Sequence, residues 1–276
     1  MEKDYLEMIR ESADFILDKV GAAPDTAVIL GTGLGDLVNH IDIKTELNYK
    51  DIPNFPVSTV EGHSGKLIFG TLGGKYIMAM QGRFHYYEGY SMKEVTFPVR
   101  VMQKLGVSTL FVSNAAGGMN KEFQVGDVMI ITDHINLFPE NPLRGKNYDD
   151  LGPRFPAMTE AYSKGLIMMA DDIAHVDGIR LMHGVYVGTP GPTFETPAEY
   201  EYFRIIGGDA VGMSTVPEVI VANHAGMTVF GVSVITDLGG KDITEVPTHE
   251  EVQKAAIKAQ PVMTHIIKEM LSRLAR

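Results

Sequence analysis

The stretch Ala27-Val-Ile-Leu-Gly-Thr-Gly-Leu-Gly35 decides the fold, because a short apolar run passes directly into a glycine-rich loop. The apolar run predicts a buried strand. The loop exposes backbone N–H groups, and Thr32 adds a hydroxyl, so a single phosphate group is a suitable occupant. A dinucleotide fingerprint places its third glycine three residues after the second, whereas here it follows after two. A nicotinamide-dependent dehydrogenase is therefore a weak alternative.

Helices and strands alternate on both sides of this loop. Tyr5 to Val20 has the apolar spacing of a helix, and strands at 66–72 and 76–80 are joined by Gly73-Gly74 as a hairpin. Further strands are predicted at 109–112, 128–132, 182–187 and 228–235, and further helices at 92–105, 159–174, 197–206, 217–224 and 248–274. With no repeat or linker in the sequence, we expect one α/β domain over residues 1–276, with a central twisted mixed β-sheet flanked by helices.

Composition narrows the classes of partner and site. A net charge of −11 argues against nucleic acid and anionic membranes as partners, and no apolar run is long enough to span a membrane. The absence of cysteine excludes disulfides, thiolate metal sites and thiol nucleophiles, and no two histidines have i, i+4 spacing, so we expect no metal. The charged N-terminus lacks the apolar core of a signal peptide, and the absence of cysteine fits a reducing, cytoplasmic setting.

The segment Gln81-Gly-Arg-Phe-His-Tyr-Tyr-Glu-Gly89 concentrates chemically active side chains where a predicted strand ends. Packing does not require this mixture, because buried polar groups cost free energy unless they are hydrogen-bonded. A guanidinium, an imidazole, a carboxylate and flat amphipathic rings suit the binding of an anion together with a sugar or a base. Other polar residues that packing does not explain also fall at predicted strand ends, where open α/β sheets bind ligands: Thr32, His63, Asn114, Glu195, Ser214 and Asp237.

Nine motifs occur in an order that resembles the trimeric, low-molecular-mass purine nucleoside phosphorylases. They are Gly31-Thr-Gly-Leu-Gly35, Gly62-His-Ser-Gly65, Gln81 to Gly89, Phe97-Pro-Val-Arg100, Asn114-Ala-Ala-Gly-Gly118, Asp133-His-Ile-Asn136, Arg154-Phe-Pro-Ala-Met158, Gly191-Pro-Thr-Phe-Glu195 and Gly212-Met-Ser-Thr-Val-Pro-Glu218. The resemblance spans residues 27–249. It implies the nucleoside phosphorylase fold and an enzyme of purine salvage, in which inorganic phosphate, as co-substrate and without a cofactor, cleaves purine ribo- and deoxyribonucleosides to free base and (deoxy)ribose 1-phosphate.

The resemblance also implies a role for individual residues. Phosphate would be held by Thr32, His63, Arg83, His85, the backbone at Ala115, and Ser214. Glu88 would orient phosphate and Arg83, and the catalytic group would comprise His85, Glu88 and Asp237. Ribose would contact Tyr87, Met213, His249 and, from a neighbouring subunit of a homotrimer, Phe155; the base would contact Phe194, Glu195, Val211, Thr236 and Asp237.

Asp237 departs from the family pattern. Relatives that prefer 6-oxopurines have an asparagine here, and an ionised aspartate would repel the N7 and O6 acceptors of such a base. Either Asp237 is protonated, because burial and the nearby Glu195 raise its pKa, or the pocket accepts the 6-amino group of adenine. We therefore expect adenosine to be cleaved beside inosine and guanosine.

Three alternatives share these residues. The related methylthioadenosine phosphorylases also have an aspartate at the position of Asp237, but they need an apolar 5′ pocket, which His249 does not suit. A nucleoside hydrolase would not need a cluster of groups for a tetrahedral anion. A non-catalytic nucleoside-binding module would not need the phosphate and base residues together.

Overall fold

A computed structural model describes residues 4–32, 34–57, 65–240 and 248–275, and it gives a mixed sheet flanked by helices. The helices are α1 (Tyr5–Val20), α2 (Met92–Val95), α3 (Phe97–Lys104), α4 (Lys164–Asp177), α5 (Pro197–Ile205), α6 (Val216–His224) and α7 (His249–Leu274). The strands are β1 (Thr26–Leu30), β2 (Asp42–Asn48), β3 (Lys66–Leu72), β4 (Lys75–Gln81), β5 (Thr109–Gly118), β6 (Val128–Asn136), β7 (Met182–Gly188), β8 (Ala210–Gly212) and β9 (Thr228–Leu238). The predicted α/β fold class is confirmed.

The sequence prediction missed two strands. The exposed edge strand β2 alternates between exposed and half-buried residues and carries charges, so it lacks the apolar signal of a buried strand. The strand β8 has only three residues, too few for a periodic pattern. The predicted helix at 92–105 is divided at Thr96, which is followed by Pro98 in the first turn of α3.

In the described part of the chain, nine strands have the order β2-β3-β4-β1-β5-β8-β7-β6-β9, and β5 also pairs with β9. Because of that additional pairing, the strands β5, β8, β7, β6 and β9 form a closed ring. The neighbours β4, β1, β5 and β9 are parallel, whereas β3 pairs antiparallel with β4 through the predicted glycine turn. Helices α1 and α3 pack together, and α7 packs along β9 and α4.

The parallel arrangement determines where the site lies. Since β1, β4, β5 and β9 run in the same direction, the residues that follow them meet at one edge of the sheet. The strand β1 is buried at all five residues, which fixes the glycine loop against β5. Among the described residues, no helix combines the length and apolar character that crossing a bilayer requires.

Candidate active site

A cleft of about 290 Å³ lies at this edge of the sheet. Among the described residues, those at the ends of β1, β4, β5, β8 and β9 line it, together with Tyr200 of α5, the segment before α5, and Val252 of α7. The lining residues include Thr32, Arg83, His85, Tyr87, Asn114, Ala115, Phe194, Glu195, Tyr200, Val211, Met213, Ser214, Thr236, Asp237 and Val252. Twelve of these were selected from the sequence as phosphate, ribose or base contacts, so the fold brings distant predicted residues together.

Arg83 supplies a fixed positive charge at one end of the cleft. Its side chain is only 1% exposed, and its NH1 group donates to the carbonyl of Ser113 over 2.7 Å and to Oγ of Ser214 over 3.2 Å. A guanidinium held in this way cannot swing into solvent, so it presents a preorganised fork to an anion in the cleft.

Glu218 is the carboxylate that balances Arg83. Its Oε1 atom lies 3.0 Å from Nε of Arg83, and its Oε2 atom accepts the backbone N–H of Thr215 over 2.9 Å. One buried side chain at the start of α6 therefore fixes both the arginine and the turn that follows β8. Glu218 was not predicted as a partner of Arg83, and the orientation of Arg83 by Glu88 stays a prediction.

The turn that carries Ser214 has an uncommon backbone. Thr215 has a φ of 70° and a ψ of −54°, and the N–H of Val216 donates to the carbonyl of Ser214 over 2.7 Å. These values describe a γ-turn with positive φ at its centre, a rare and strained conformation. Asn114 holds the side chain of Thr215, because its Nδ2 atom donates to Oγ1 of Thr215 over 2.9 Å. The turn places the Ser214 hydroxyl beside Arg83.

His85 and Glu88 form a second polar unit. Nδ1 of His85 lies 3.0 Å from Oε1 of Glu88, and the same oxygen accepts the backbone N–H of His85 over 2.8 Å. Because both side chains are under 10% exposed, the carboxylate fixes the orientation of the imidazole. The ring of Tyr87 stacks on His85 with 4.7 Å between the ring centroids. The histidine and the tyrosine line the cleft, and Glu88 supports the histidine from behind.

A β-bulge arranges the other end of the cleft. Along β9, Ile235 pairs with Ala116 and Asp237 pairs with Gly117, so Thr236 is an extra residue. Neighbouring side chains on a regular strand point to opposite faces, but a bulge changes this alternation. Both Thr236 and Asp237 therefore line the cleft.

Two carboxyl groups share this end. Burial, with a smaller contribution from the charge of Asp237, raises the pKa of Glu195 to about 7. Burial also raises the pKa of Asp237, whereas hydrogen bonds from Thr236 and Tyr200 lower it. Because the pKa of Glu195 lies near 7, this carboxyl group can accept or donate a proton near neutral pH at this end of the cleft.

Four of the predicted site residues are not described as lining the cleft, and one of them, Glu88, is the partner of His85 given above. His63 lies outside the described residues, and so does the side chain of His249, the first residue of α7. Phe155 is described and is 87% exposed, with the guanidinium of Arg154 over its ring at 5.7 Å. It does not line the cleft of its own chain.

The sequence alone predicted no site role for Tyr200 or Glu218. Tyr200 follows a proline in a helical segment and reads as an ordinary core residue, and Glu218 reads as first-turn charge of α6. Asn114 was quoted in a motif without a role. The position of these three residues in the sequence could have indicated a role in the site, because each belongs to a segment that adjoins a predicted strand end.

Comparison with known proteins supports the same family. A statistical model described as "Phosphorylase superfamily" matches residues 25–272. Purine nucleoside phosphorylase 1 of Geobacillus stearothermophilus is 52% identical over 268 residues, covering 97% of this chain and 98% of that protein.

Solved structures agree with the sequence comparison. The Schistosoma mansoni purine nucleoside phosphorylase in complex with adenosine has a TM-score of 0.93 at 42% identity, with 98% of each chain covered. A Schistosoma purine nucleoside phosphorylase in complex with hypoxanthine has a TM-score of 0.93 at 40% identity, with 99% of each chain covered. The predicted resemblance is therefore confirmed, and the chain belongs to the phosphorylase superfamily and, within it, to the purine nucleoside phosphorylases.

Proposed function

We propose that this purine nucleoside phosphorylase cleaves inosine, guanosine and adenosine, in ribo and 2′-deoxy form, to the free base and (deoxy)ribose 1-phosphate. The observation that carries the proposal is the division of one cleft into two ends. The Arg83, Ser214 and His85 end suits a tetrahedral anion, and the Glu195 and Asp237 end suits the polar edge of a purine.

The phosphate end supplies several donors. Thr32, Arg83, His85 and Ser214 line the cleft and present hydroxyl, guanidinium and imidazole groups, and Ala115 adds its backbone. His63 belongs to the same proposed set. Because a dianion in a partly closed cleft binds best to donors that are already oriented, the hydrogen bonds of Arg83 to Ser113 and Ser214 favour this use.

The ribose and base are proposed to lie above the phosphate. Tyr87, Met213 and His249 would contact the sugar, while Phe194 and Val211 would pack against the purine ring. Glu195 would accept the N1–H of a 6-oxopurine, and Asp237, beside Thr236, would face N7 and the 6-substituent.

The chemistry requires positioning and charge stabilisation. A phosphate oxygen forms the bond to C1′ while the C1′–N9 bond breaks, and the electron pair of that bond stays on the purine, which takes up one proton. The phosphate end holds the nucleophile near the anomeric carbon. The carboxyl groups at the base end stabilise the departing purine by hydrogen bonding and by exchanging a proton with it. The proposed catalytic group is His85 and Asp237, which line the cleft, with Glu88, which orients His85.

We further propose a homotrimer in the cytoplasm, working in purine salvage without a cofactor or metal. The support for the assembly is Phe155, a large apolar side chain that is 87% exposed in the single chain. Exposed single apolar residues are common, but an aromatic ring on a long loop suits insertion into a neighbour's ribose site.

A steady-state comparison of inosine, guanosine, adenosine and xanthosine, with and without phosphate, tests the proposed reaction. We expect base release that depends on phosphate, with ribose 1-phosphate as the sugar product by ³¹P NMR. Equal release in phosphate-free buffer, with free ribose as product, would identify a hydrolase and overturn the proposal.

Variants of two serines localise the phosphate site. Ser214→Ala should raise the KM for phosphate about tenfold or more, since a donor to a charged ligand is lost. Ser108→Ala removes an exposed hydroxyl at the opposite end of β5 and serves as the control. Equal effects of the two substitutions would contradict the assignment.

A further inference from the structure

Tyr200 meets Asp237 at the base end of the cleft. The hydroxyl of Tyr200 donates to Oδ2 of Asp237 over 3.2 Å, and the hydroxyl of Thr236 donates to Oδ1 over 2.9 Å. Within the described residues, each carboxylate oxygen therefore receives a hydrogen bond from a neighbouring hydroxyl. Tyr200 is only 6% exposed, so its hydroxyl is not diverted to bulk water.

Two glycines make room for the tyrosine. A Cβ atom on Gly239 would lie 2.1 Å from the Tyr200 ring, and one on Gly117 would lie 2.5 Å from its hydroxyl and 3.0 Å from Oδ2 of Asp237. Any side chain at these positions would displace the ring or the carboxylate. The tyrosine thus occupies a space that the strand ends of β5 and β9 leave open, and its position is determined by packing.

We propose that Tyr200 is a positioning residue that holds Asp237 as a carboxylate, an acceptor, and thereby favours purines with a 6-amino group. The inference rests on the proposed function, and it names the residue that sets base preference within the same site.

The direction follows from the donors around Asp237. Hydrogen bonds donated to a carboxylate favour its ionised form, whereas burial disfavours it. The titratable groups that face Asp237 in the described residues are Tyr200 of α5 and Glu195 of the preceding segment, with Glu199 acting on Glu195 from the first turn of α5. Among the described side chains of α7, the uncharged Val252 lines the cleft. Tyr200 is the member of this group that stabilises the negative charge of Asp237.

The two kinds of purine need different forms of Asp237. The 6-amino group of adenine donates, so it pairs with an ionised carboxylate. The O6 atom of a 6-oxopurine accepts, so it pairs with a protonated carboxyl group, while N7 accepts in both kinds of base and does not distinguish them. A residue that shifts Asp237 toward the ionised form must therefore change the ratio of the two affinities.

The test is the variant Tyr200→Phe, which removes one oxygen and keeps the ring between the glycines. We expect the ratio of inhibition constants for free adenine and free hypoxanthine to move about tenfold toward hypoxanthine, since one pKa unit corresponds to a tenfold change. The acidic limb of adenosine turnover should move to higher pH, because more of Asp237 is protonated at a given pH. Tyr202→Phe, on the same helix with a side chain that is 52% exposed, is the matched control.

The remaining outcomes overturn the inference. If Tyr200→Phe weakens both bases equally, or leaves both the ratio and the pH limb unchanged, the hydroxyl has only a structural role or none. If adenine does not bind the wild-type enzyme, Asp237 does not act as the acceptor. In an Asp237→Asn background, Tyr200→Phe must leave the ratio unchanged.

Failure of the proposed function gives a different result. In that case the wild-type enzyme does not release base from any nucleoside in a phosphate-dependent manner. An active wild-type enzyme with an unchanged ratio in Tyr200→Phe refutes only the inference about Tyr200.

Discussion

Arg83 and Glu218 form an ion pair with 3.0 Å between Nε and Oε1, although their side chains are only 1% and 4% exposed. Two charges so far from water are held only when their remaining hydrogen-bonding groups are also engaged. Arg83 reaches Ser113 and Ser214, and Glu218 reaches the backbone of Thr215. The pair therefore connects the end of β4 to the strained turn before α6.

Glu218→Gln should impair both folding and phosphate binding. The substitution keeps the side-chain size but leaves the buried Arg83 without its balancing charge, and breaking such a pair costs about 3–5 kcal/mol. We expect a lower midpoint in urea unfolding and a KM for phosphate that rises by more than the KM for inosine.

Glu251→Gln is the control for this prediction. Glu251 occupies the same N-terminal capping position in α7, where Oε2 accepts the backbone N–H of Thr248 over 3.0 Å, but it lies at the surface. If the KM for phosphate changes equally in the two variants, the effect of Glu218→Gln on phosphate binding does not act through Arg83.

Base binding should depend on pH through Glu195. Burial raises its pKa to about 7 from an ordinary value of 4.5, so the carboxylate that accepts N1–H forms only as the pH rises through about 7. Hypoxanthine affinity should increase across this range, and Glu195→Gln should remove that component. Isothermal titration between pH 5.5 and about 8 measures the effect.

The same shift has a consequence for stability. Because the folded state holds the Glu195 proton more tightly than the unfolded chain, the free energy of unfolding should fall as the pH rises from 4.5 to about 7. Glu195→Gln should show a shallower fall, whereas Glu160→Gln, at an exposed position outside the cleft, should retain the wild-type slope. Identical slopes in all three proteins would contradict the assigned pKa.

Gly31→Ala should displace the phosphate-binding loop. A Cβ atom at this position would lie 2.7 Å from the carbonyl oxygen of Ser113 and 2.9 Å from Cα of Asn114, both backbone atoms that cannot rotate away. We expect a loss of about 1–3 kcal/mol in the free energy of unfolding and a raised KM for phosphate.

Gly165→Ala is the control for Gly31→Ala, because an added Cβ atom meets no close contact at this position. It lies in the first turn of α4, and the nearest atom to its Cβ would be 3.7 Å away. Since alanine is the better helix former, this substitution should stabilise the protein by about 0.5–1 kcal/mol with unchanged kinetics. A similar response to the two changes would rule out the backbone clash as the cause.

Phe155→Ala tests the proposed subunit contact. If the ring enters a neighbour's ribose site, its loss should raise the KM for inosine about tenfold or more while the KM for phosphate changes little. Analytical ultracentrifugation gives the oligomeric state in parallel. Val176→Ala, at another exposed apolar position that is 76% exposed on α4, is the control. A monomeric wild-type enzyme, or unchanged kinetics in Phe155→Ala, would contradict the proposal.

The sequence by itself determined the α/β class, the main strands and most cleft residues. Apolar runs such as Ala27 to Leu30 are strong local signals, and polar residues directly after them have few structural explanations. The order of short motifs was enough to identify the family, because each motif lies at a strand end that the fold brings to one edge.

Only the tertiary structure decided how those residues act on one another. The pairing of Arg83 with Glu218 and of Tyr200 with Asp237 joins positions 135 and 37 residues apart, and nothing in either local pattern specifies the partner. The bulge at Thr236 depends in the same way on the register between β9 and β5. Local sequence sets the preference of each segment, whereas the charge state and direction of a buried side chain depend on what the rest of the chain packs against it.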